Sequence, residues 1–370
     1  MKPIRVLQVV TTMERAGLET MIMNYYRHMD RNRVQFDFLR HRDGVHAYDE
    51  EIKALGGRIY TVPAFNPLNT NGYLHALDAF FRDHREYAVV HSHLDCLSAV
   101  PLKYAKKYGI PTRIAHSHVS RMTLDLKYPI RMFYRSRIPA VATDLFACSE
   151  DAGKWMFGNR SFSTIRNAID CGAFAYDGET AWKLRLQYGL ENTFVMVHVG
   201  RFDPVKNHGF LLEVFGHVAK QHPNSVLLLA GTGNTMPAVK NQAKAMGLQE
   251  KVRFLGSVSN VAQLLTMADV FVFPSQYEGL GISLIEAQAA GLPCFTALGC
   301  VPAEANVTGT VAYLPLQAGA AAWAEAILSG AKERQIRRGE VGIMRAQGYD
   351  ISAEAEKLQQ FYLQKTMEEP

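Results

Sequence analysis

The chain has 370 residues, 48% of them hydrophobic and 20% charged, the composition of an ordinary folded protein with room for two domains. No apolar run reaches the length of a membrane span, and a strand-like segment starts at residue 4, so neither an anchor nor a signal peptide is expected. The net charge is +5, and the five cysteines form no close CxxC pair, which argues against a disulfide or zinc framework and for thiols in a reducing cytoplasm.

Taken in chain order, short apolar runs predict strands at 4–10, 34–39, 58–62, 87–91, 112–115 and 144–148. Amphipathic segments at 18–29, 73–85 and 96–108 lie between them. A polar stretch at about 170–190 marks a seam. Beyond it the same alternation resumes, with strands at 194–199, 226–230, 252–255, 270–273, 293–296 and 311–314 and helices such as 210–221 and 282–290. Such alternation predicts an α/β protein of two doubly wound parallel sheets. We place the domains at 1–172 and 173–350, with a last helical segment at 351–370. Charge is divided unevenly: residues 1–170 carry 24 Lys/Arg against 17 Asp/Glu (+7), and residues 171–370 carry 16 against 18 (−2). A basic first half suits an anionic partner, either nucleic acid or a membrane surface or diphosphate-linked lipid.

The most informative stretch follows the predicted strand at 270–273: Tyr277-Glu278-Gly279-Leu280-Gly281-Ile282-Ser283-Leu284-Ile285-Glu286-Ala287. The glycines read as a tight turn opening a helix of small and apolar residues. Glu278 lies in the loop and Glu286 about one turn inside the helix. Loop amides and a helix dipole attract an anion, while carboxylates accept hydrogen bonds from hydroxyls, so the arrangement suits a phosphorylated, hydroxyl-rich ligand. Glu278 alone is explicable as a charge near a helix N-terminus, worth about 0.3–1 kcal/mol. Glu286 sits in a helix apolar on most faces and needs a buried partner or a ligand.

Glu278, seven residues, then Glu286 resembles the EX7E signature of the large retaining glycosyltransferase family of GT-B fold (family 4-like), and the wording at 278–293 is similar throughout. Glu19-Thr20-Met21-Ile22-Met23-Asn24-Tyr25-Tyr26-Arg27 resembles bacterial exopolysaccharide and capsule transferases. The resemblance implies two facing Rossmann-like domains, an acceptor-side one first and a donor-binding one second, with an interdomain cleft and a last helix crossing back to the first domain. It implies that Arg201 and Lys206, in the loop after the strand at 194–199, clamp the donor diphosphate, aided by Gly17 after the first strand. A guanidinium offers phosphate a rigid fork and an ammonium a compact charge. Gly231, Gly233 and Leu255 then bracket the nucleotide, and Glu286 and Ser283 bind ribose and nucleotide. Glu278 and the amides of Gly279, Leu280, Gly281 and Ile282 bind the transferred sugar. Glycines after a strand are equally plain turn residues, and a helix cap explains Gly17 equally well.

His91-Ser92-His93 and His116-Ser117-His118 each end a predicted strand, where residues i and i+2 share a face. A zinc site with Asp95 is conceivable, but four placed ligands are not evident. The resemblance assigns the active-site histidine, near the sugar's primary hydroxyl, to His116, with His118 as the alternative; His91 and His93 either line the acceptor side or pack as core. Asp-x-Asp metal motifs of other transferases have no match here, Asp177-Gly178-Glu179 lacking a preceding strand. A metal-independent reaction with no cofactor is therefore expected, Arg201 and Lys206 stabilising the leaving phosphate. Between 121 and 137 basic and aromatic residues alternate, as in a surface helix on anionic lipid, although Tyr128-Pro129 warns of a break.

The expected activity is transfer of a hexosyl unit from a nucleotide diphosphate sugar, UDP-sugar by family habit, to a glycan or polyprenyl-diphosphate-linked saccharide. Glu278 and His116 are the catalytic candidates. The expected location is the cytoplasm, or the inner face of the membrane, and nucleic acid is not an expected partner. Two alternatives are a UDP-N-acetylglucosamine 2-epimerase-like isomerase, which would need further acid/base carboxylates, and a non-catalytic nucleotide-sugar-binding scaffold. A dehydrogenase would need Gly-x-Gly-x-x-Gly after a first strand, which neither half has.

Overall fold

The computed structural model describes residues 2–119, 125–333, 337 and 340–367. Seven strands form the first sheet: β1 Ile4–Val10, β2 Val34–Arg40, β3 Ile59–Thr61, β4 Val89–Ser92, β5 Thr112–Ser117, β6 Asp144–Ala147 and β7 Ser163–Thr164. Their spatial order is β3-β2-β1-β4-β5-β6-β7. Six form the second: β8 Phe194–Val199, β9 Ser225–Ala230, β10 Val252–Gly256, β11 Val270–Phe273, β12 Cys294–Ala297 and β13 Val311–Leu314, in the order β10-β9-β8-β11-β12-β13. Every pairing in both sheets is parallel.

Helices on both faces explain why these strands are apolar runs and not alternating ones. All residues of β2, β9 and β11 are buried. Along β11 the period of two sends Phe271 and Phe273 into one core layer with Leu284 and Ile285. Val270 and Val272 enter the opposite layer with Phe215 and Trp323.

The chain divides into two compact units between Ala168 and Ile169, and the second ends at Asp350. The C-terminal helix Ile351–Met367 belongs to the first unit, packed on helix Gly17–His28. Gln359 Oε1 accepts from the Asp30 backbone N–H at 2.7 Å, and Tyr362 meets the Phe36 ring edge-on at 6.0 Å between centroids. In each sheet the strand order switches at its middle, between β1 and β4 and between β8 and β11, the place where open α/β sheets bind ligands beyond the strand carboxyl ends.

One strand was not expected and one local reading is corrected. Strand β7 has only two residues, too short to leave an apolar pattern. Tyr128-Pro129 does not break a helix but opens one, Tyr128–Val141, because proline in the first turn sacrifices no intrahelical hydrogen bond. Arg121 lies outside the described residues.

Candidate functional site

In the second unit the loops after β8, β9, β10 and β11 are stitched together by backbone hydrogen bonds. Gly200 N–H donates to Ala230 O at 2.9 Å, Phe202 N–H to Thr232 O at 2.9 Å and Gly231 N–H to Gly256 O at 2.7 Å. Gln276 N–H donates to Val205 O at 2.8 Å, tying the loop after β8 to the loop after β11. Gly231 has φ +141°, and a Cβ there would overlap the Gly200 carbonyl; one at Gly233 would overlap that of Phe202. These glycines are therefore close-approach residues, and Leu255 sits on the adjoining end of β10.

Across the tie between those two loops, Lys206 Nζ donates to Glu278 Oε1 at 2.5 Å, with the ammonium 4.6 Å from the Phe273 ring centroid. Both side chains are mostly buried, at 17% and 11% exposure. Arg201 differs: its side chain is 68% exposed and, among the described residues, bonds only to neighbouring Asp203, at 3.2 Å. The two basic residues share a loop, but only Lys206 is built into the site. His198, a residue that sequence reasoning missed, ends β8 nearby. Its Nδ1–H donates to Val272 O at 2.9 Å, which leaves Nε2 as a bare acceptor with no partner among the described residues. A side chain at Gly200 would crowd that nitrogen at 2.9 Å and the Lys206 stem at 3.5 Å, so the glycine makes room for both.

Helix Ile282–Ala289 starts at Gly281, whose φ of +81° only glycine adopts without strain, and no side chain caps it. The orphan amides at a helix start, here those of Ile282 and Ser283, are a ready anion site. Gly279 and Leu280 lead into it, Leu280 buried in the core. One turn in, Glu286 is 6% exposed, and no hydrogen bond or ion pair reaches its carboxyl group among the described residues. Burial alone pushes its pKa up to about 8. A buried carboxyl group without a partner costs the fold stability, and groups perturbed in this way cluster at functional sites.

In the first unit, parallel register aligns the two histidine triplets. His91 lies beside Ile114 and Ser92 beside Ala115, so His91, His93, His116 and His118 share one face of β4 and β5 and the residues following. His91 Nε2 pairs with His116 Nδ1 at 3.0 Å, and His93 Nδ1 with His118 Nε2 at 3.0 Å. Each pair is anchored behind: His91 Nδ1 on the Tyr362 hydroxyl at 2.7 Å, His93 Nε2 on Gln8 Oε1 at 2.8 Å. Burial holds His91, His93 and His116 well below the usual histidine range and His118 at about 3, so all four rings are neutral. Asp95, at φ +49°, accepts from the His118 backbone N–H at 2.8 Å, and burial raises its carboxyl group to about 6. Gly17 opens helix Gly17–His28 after β1 and is exposed.

One nitrogen each of His91, His93 and His116 lies within 4.8 Å of the others, a spacing a metal ion could bridge. Both nitrogens of His91 and of His93 are already hydrogen-bonded, however, and a metal would have to displace those bonds. Among these rings only His116 Nε2 is a buried nitrogen without a partner among the described residues.

The Glycosyl transferases group 1 family matches residues 181–342. The chain is 36% identical over 356 residues to a Bacillus subtilis (strain 168) protein named glycosyltransferase EpsF, covering 94% of this chain and 93% of that one. Identity to the capsular polysaccharide biosynthesis glycosyltransferase CapH of Staphylococcus aureus is 22% over 373 residues, 98% of this chain and 100% of the relative. Among solved structures, Anabaena HepE in complex with UDP and glucose superposes with a TM-score of 0.79 at 17% identity, covering 97% of this chain and 99% of that one. Sucrose-phosphate synthase from Thermosynechococcus elongatus gives 0.74 at 17% identity, with 99% and 100% covered. The chain belongs to the group 1 glycosyltransferases, enzymes of GT-B fold, and its relatives include bacterial polysaccharide glycosyltransferases.

Proposed function

We propose that this glycosyltransferase moves a hexosyl unit from a UDP-sugar to a glycan or polyprenyl-diphosphate-linked saccharide, with retention of anomeric configuration and without a metal. The observation that carries the reading is that one loop and the helix after it hold Glu278 in its buried pair with Lys206, an uncapped helix start, and Glu286, a buried carboxyl group without a partner among the described residues. Lys206, the amides of Ile282 and Ser283, and the exposed Arg201 neutralise a diphosphate. Glu286 accepts from ribose hydroxyls, and Glu278, positioned by Lys206, accepts from hydroxyls of the sugar. Gly231, Gly233 and Leu255 let the nucleotide approach the backbone closely, and His116 contacts the sugar. A second solved structure of HepE is a complex with UDP-glucose. A relative from Escherichia coli, 27% identical over 224 residues and 56% of this chain, is named UDP-Gal:alpha-D-GlcNAc-diphosphoundecaprenol alpha-1,3-galactosyltransferase.

In this reading the acceptor hydroxyl attacks the anomeric carbon on the face from which the diphosphate leaves. The bond from that carbon to UDP breaks, the new glycosidic bond forms, and the acceptor proton passes to a donor phosphate oxygen. Positive charge fixed in advance around the departing diphosphate supplies the largest catalytic contribution. A lipid-linked acceptor also gives a role to helix Tyr128–Val141, where Phe133 is 52% exposed under the Arg137 guanidinium at 4.7 Å, and to Leu126, 98% exposed just before it. No helix among the described residues is long and apolar enough to cross a membrane, so contact would be with the surface.

Titration calorimetry with UDP tests the donor site. Wild-type protein is expected to bind and Glu286→Ala to bind at least about tenfold more weakly, the loss of a charged hydrogen-bond acceptor. Equal affinities would remove Glu286 from the site. Turnover is expected to survive chelator, and loss restored by added metal would refute the metal-free mechanism.

A further inference from the structure

The histidine cluster contains its own rule for which nitrogen bears each proton. Gln8 Oε1 can only accept, so His93 carries its proton on Nε2, and its Nδ1 must then accept from His118 Nε2–H. The second pair is anchored differently. A phenol hydroxyl both donates and accepts, so the direction of the Tyr362–His91 bond decides two tautomers at once.

We propose that Tyr362 is a positioning residue, whose hydroxyl donates to His91 Nδ1 and thereby makes His91 donate from Nε2 to His116 Nδ1, leaving His116 with its proton on Nε2. The 2.7 Å O···N separation makes this a close hydrogen bond, one that either group could donate by distance alone. A phenol is a better proton donor than an imidazole, and burial raises the Tyr362 hydroxyl further, so it keeps its proton. The neutrality of His91 and His116 leaves one proton per ring, and each hand-over is therefore all-or-none. His116 Nε2, buried and without a partner among the described residues, becomes an N–H donor, and the group it takes must be an acceptor such as a sugar oxygen. With the opposite direction it would present a lone pair instead. The last helix thus carries Tyr362 back to the first unit and chooses the polarity of the ring that ends the relay. This inference rests on the reading of His116 as a sugar-contacting residue.

The test uses full-length protein with 15N-labelled histidine, and long-range 15N–1H correlation spectra to read each tautomer. Wild type is expected to show the His116 proton on Nε2. Tyr362→Phe, which removes one oxygen and keeps the ring, is expected to give a mixture of His116 tautomers and to lower kcat about tenfold while KM for the donor changes less than about twofold, the effect of one misdirected hydrogen bond. Tyr25→Phe is the control: it deletes an equally buried hydroxyl, bonded to Arg166 O at 2.8 Å, and is expected to move neither the spectrum nor kcat. A wild-type proton on Nδ1, or a His116 tautomer unchanged in Tyr362→Phe, overturns the proposal. A tautomer that shifts while turnover holds leaves Tyr362 its role and removes His116 from contact with the sugar, so the two readings fail separately.

Discussion

Glu286 is a single residue whose burial costs the fold stability. Its carboxyl group titrates at about 8 when folded against an ordinary value of 4.5, so the folded protein holds a proton that the unfolded chain gives up. The associated stability is fully present below about pH 4.5 and is lost as pH rises toward 8, with a slope approaching about 1.4 kcal/mol per pH unit. Urea unfolding of Glu286→Gln across that range is expected to show this slope removed and stability at pH 8 increased; parallel wild-type and variant curves would contradict the burial argument. Lys206 behaves oppositely. Lys206→Met leaves Glu278 buried without its cation, and a loss of about 1–3 kcal/mol in stability is expected together with about a hundredfold loss in kcat. A variant with normal kcat would place the diphosphate elsewhere. Glu278 and Glu286 were legible as candidates because two carboxylates flank the glycine-containing start of a helix apolar on most faces, whereas Lys206 was singled out only by the resemblance. The mutual geometry of the three was not legible, since Lys206 and Glu278 are 72 positions apart and meet only because β8 and β11 are sheet neighbours.

At the scale of elements, the loops of the second unit are tied to one another where backbone meets backbone. Gly231→Ala forces a Cβ onto the Gly200 carbonyl, and the loop carrying Arg201 and Lys206 must shift to relieve it. A Tm fall of several degrees with weakened UDP binding is expected, from a cost above about 1 kcal/mol; unchanged calorimetric and binding curves would show that the close approach does not matter. The apolar runs gave nearly the right strands: β1, β8, β11 and β13 match their expected limits, while β7, with two residues, left no period to detect. The paired histidine triplets were visible, and their shared face followed from strand periodicity. Their pairing needed the β4–β5 register, and the anchors Gln8 and Tyr362 could not be guessed, because Tyr362 lies 271 positions from His91.

Over the whole molecule, alternation of apolar runs and amphipathic helices made two parallel sheets legible, because a strand buried on both faces has no other pattern open to it. Strand order was less so, since register and neighbours depend on tertiary packing. The C-terminal helix joins the first unit through Gln359 and Tyr362. Ending the chain at Asp350 is therefore expected to expose the apolar face around Phe36 and Tyr25, read as binding of a hydrophobic dye at neutral pH; a truncated protein that binds no dye would contradict this packing. The account depends most on transfer itself. Incubation with a panel of sugar nucleotides and a polyprenyl-diphosphate-linked saccharide, followed by NMR of the product, should give one glycoside from a UDP-sugar with the donor's anomeric configuration preserved. A product of inverted configuration, or turnover with no UDP-sugar in the panel, would contradict it.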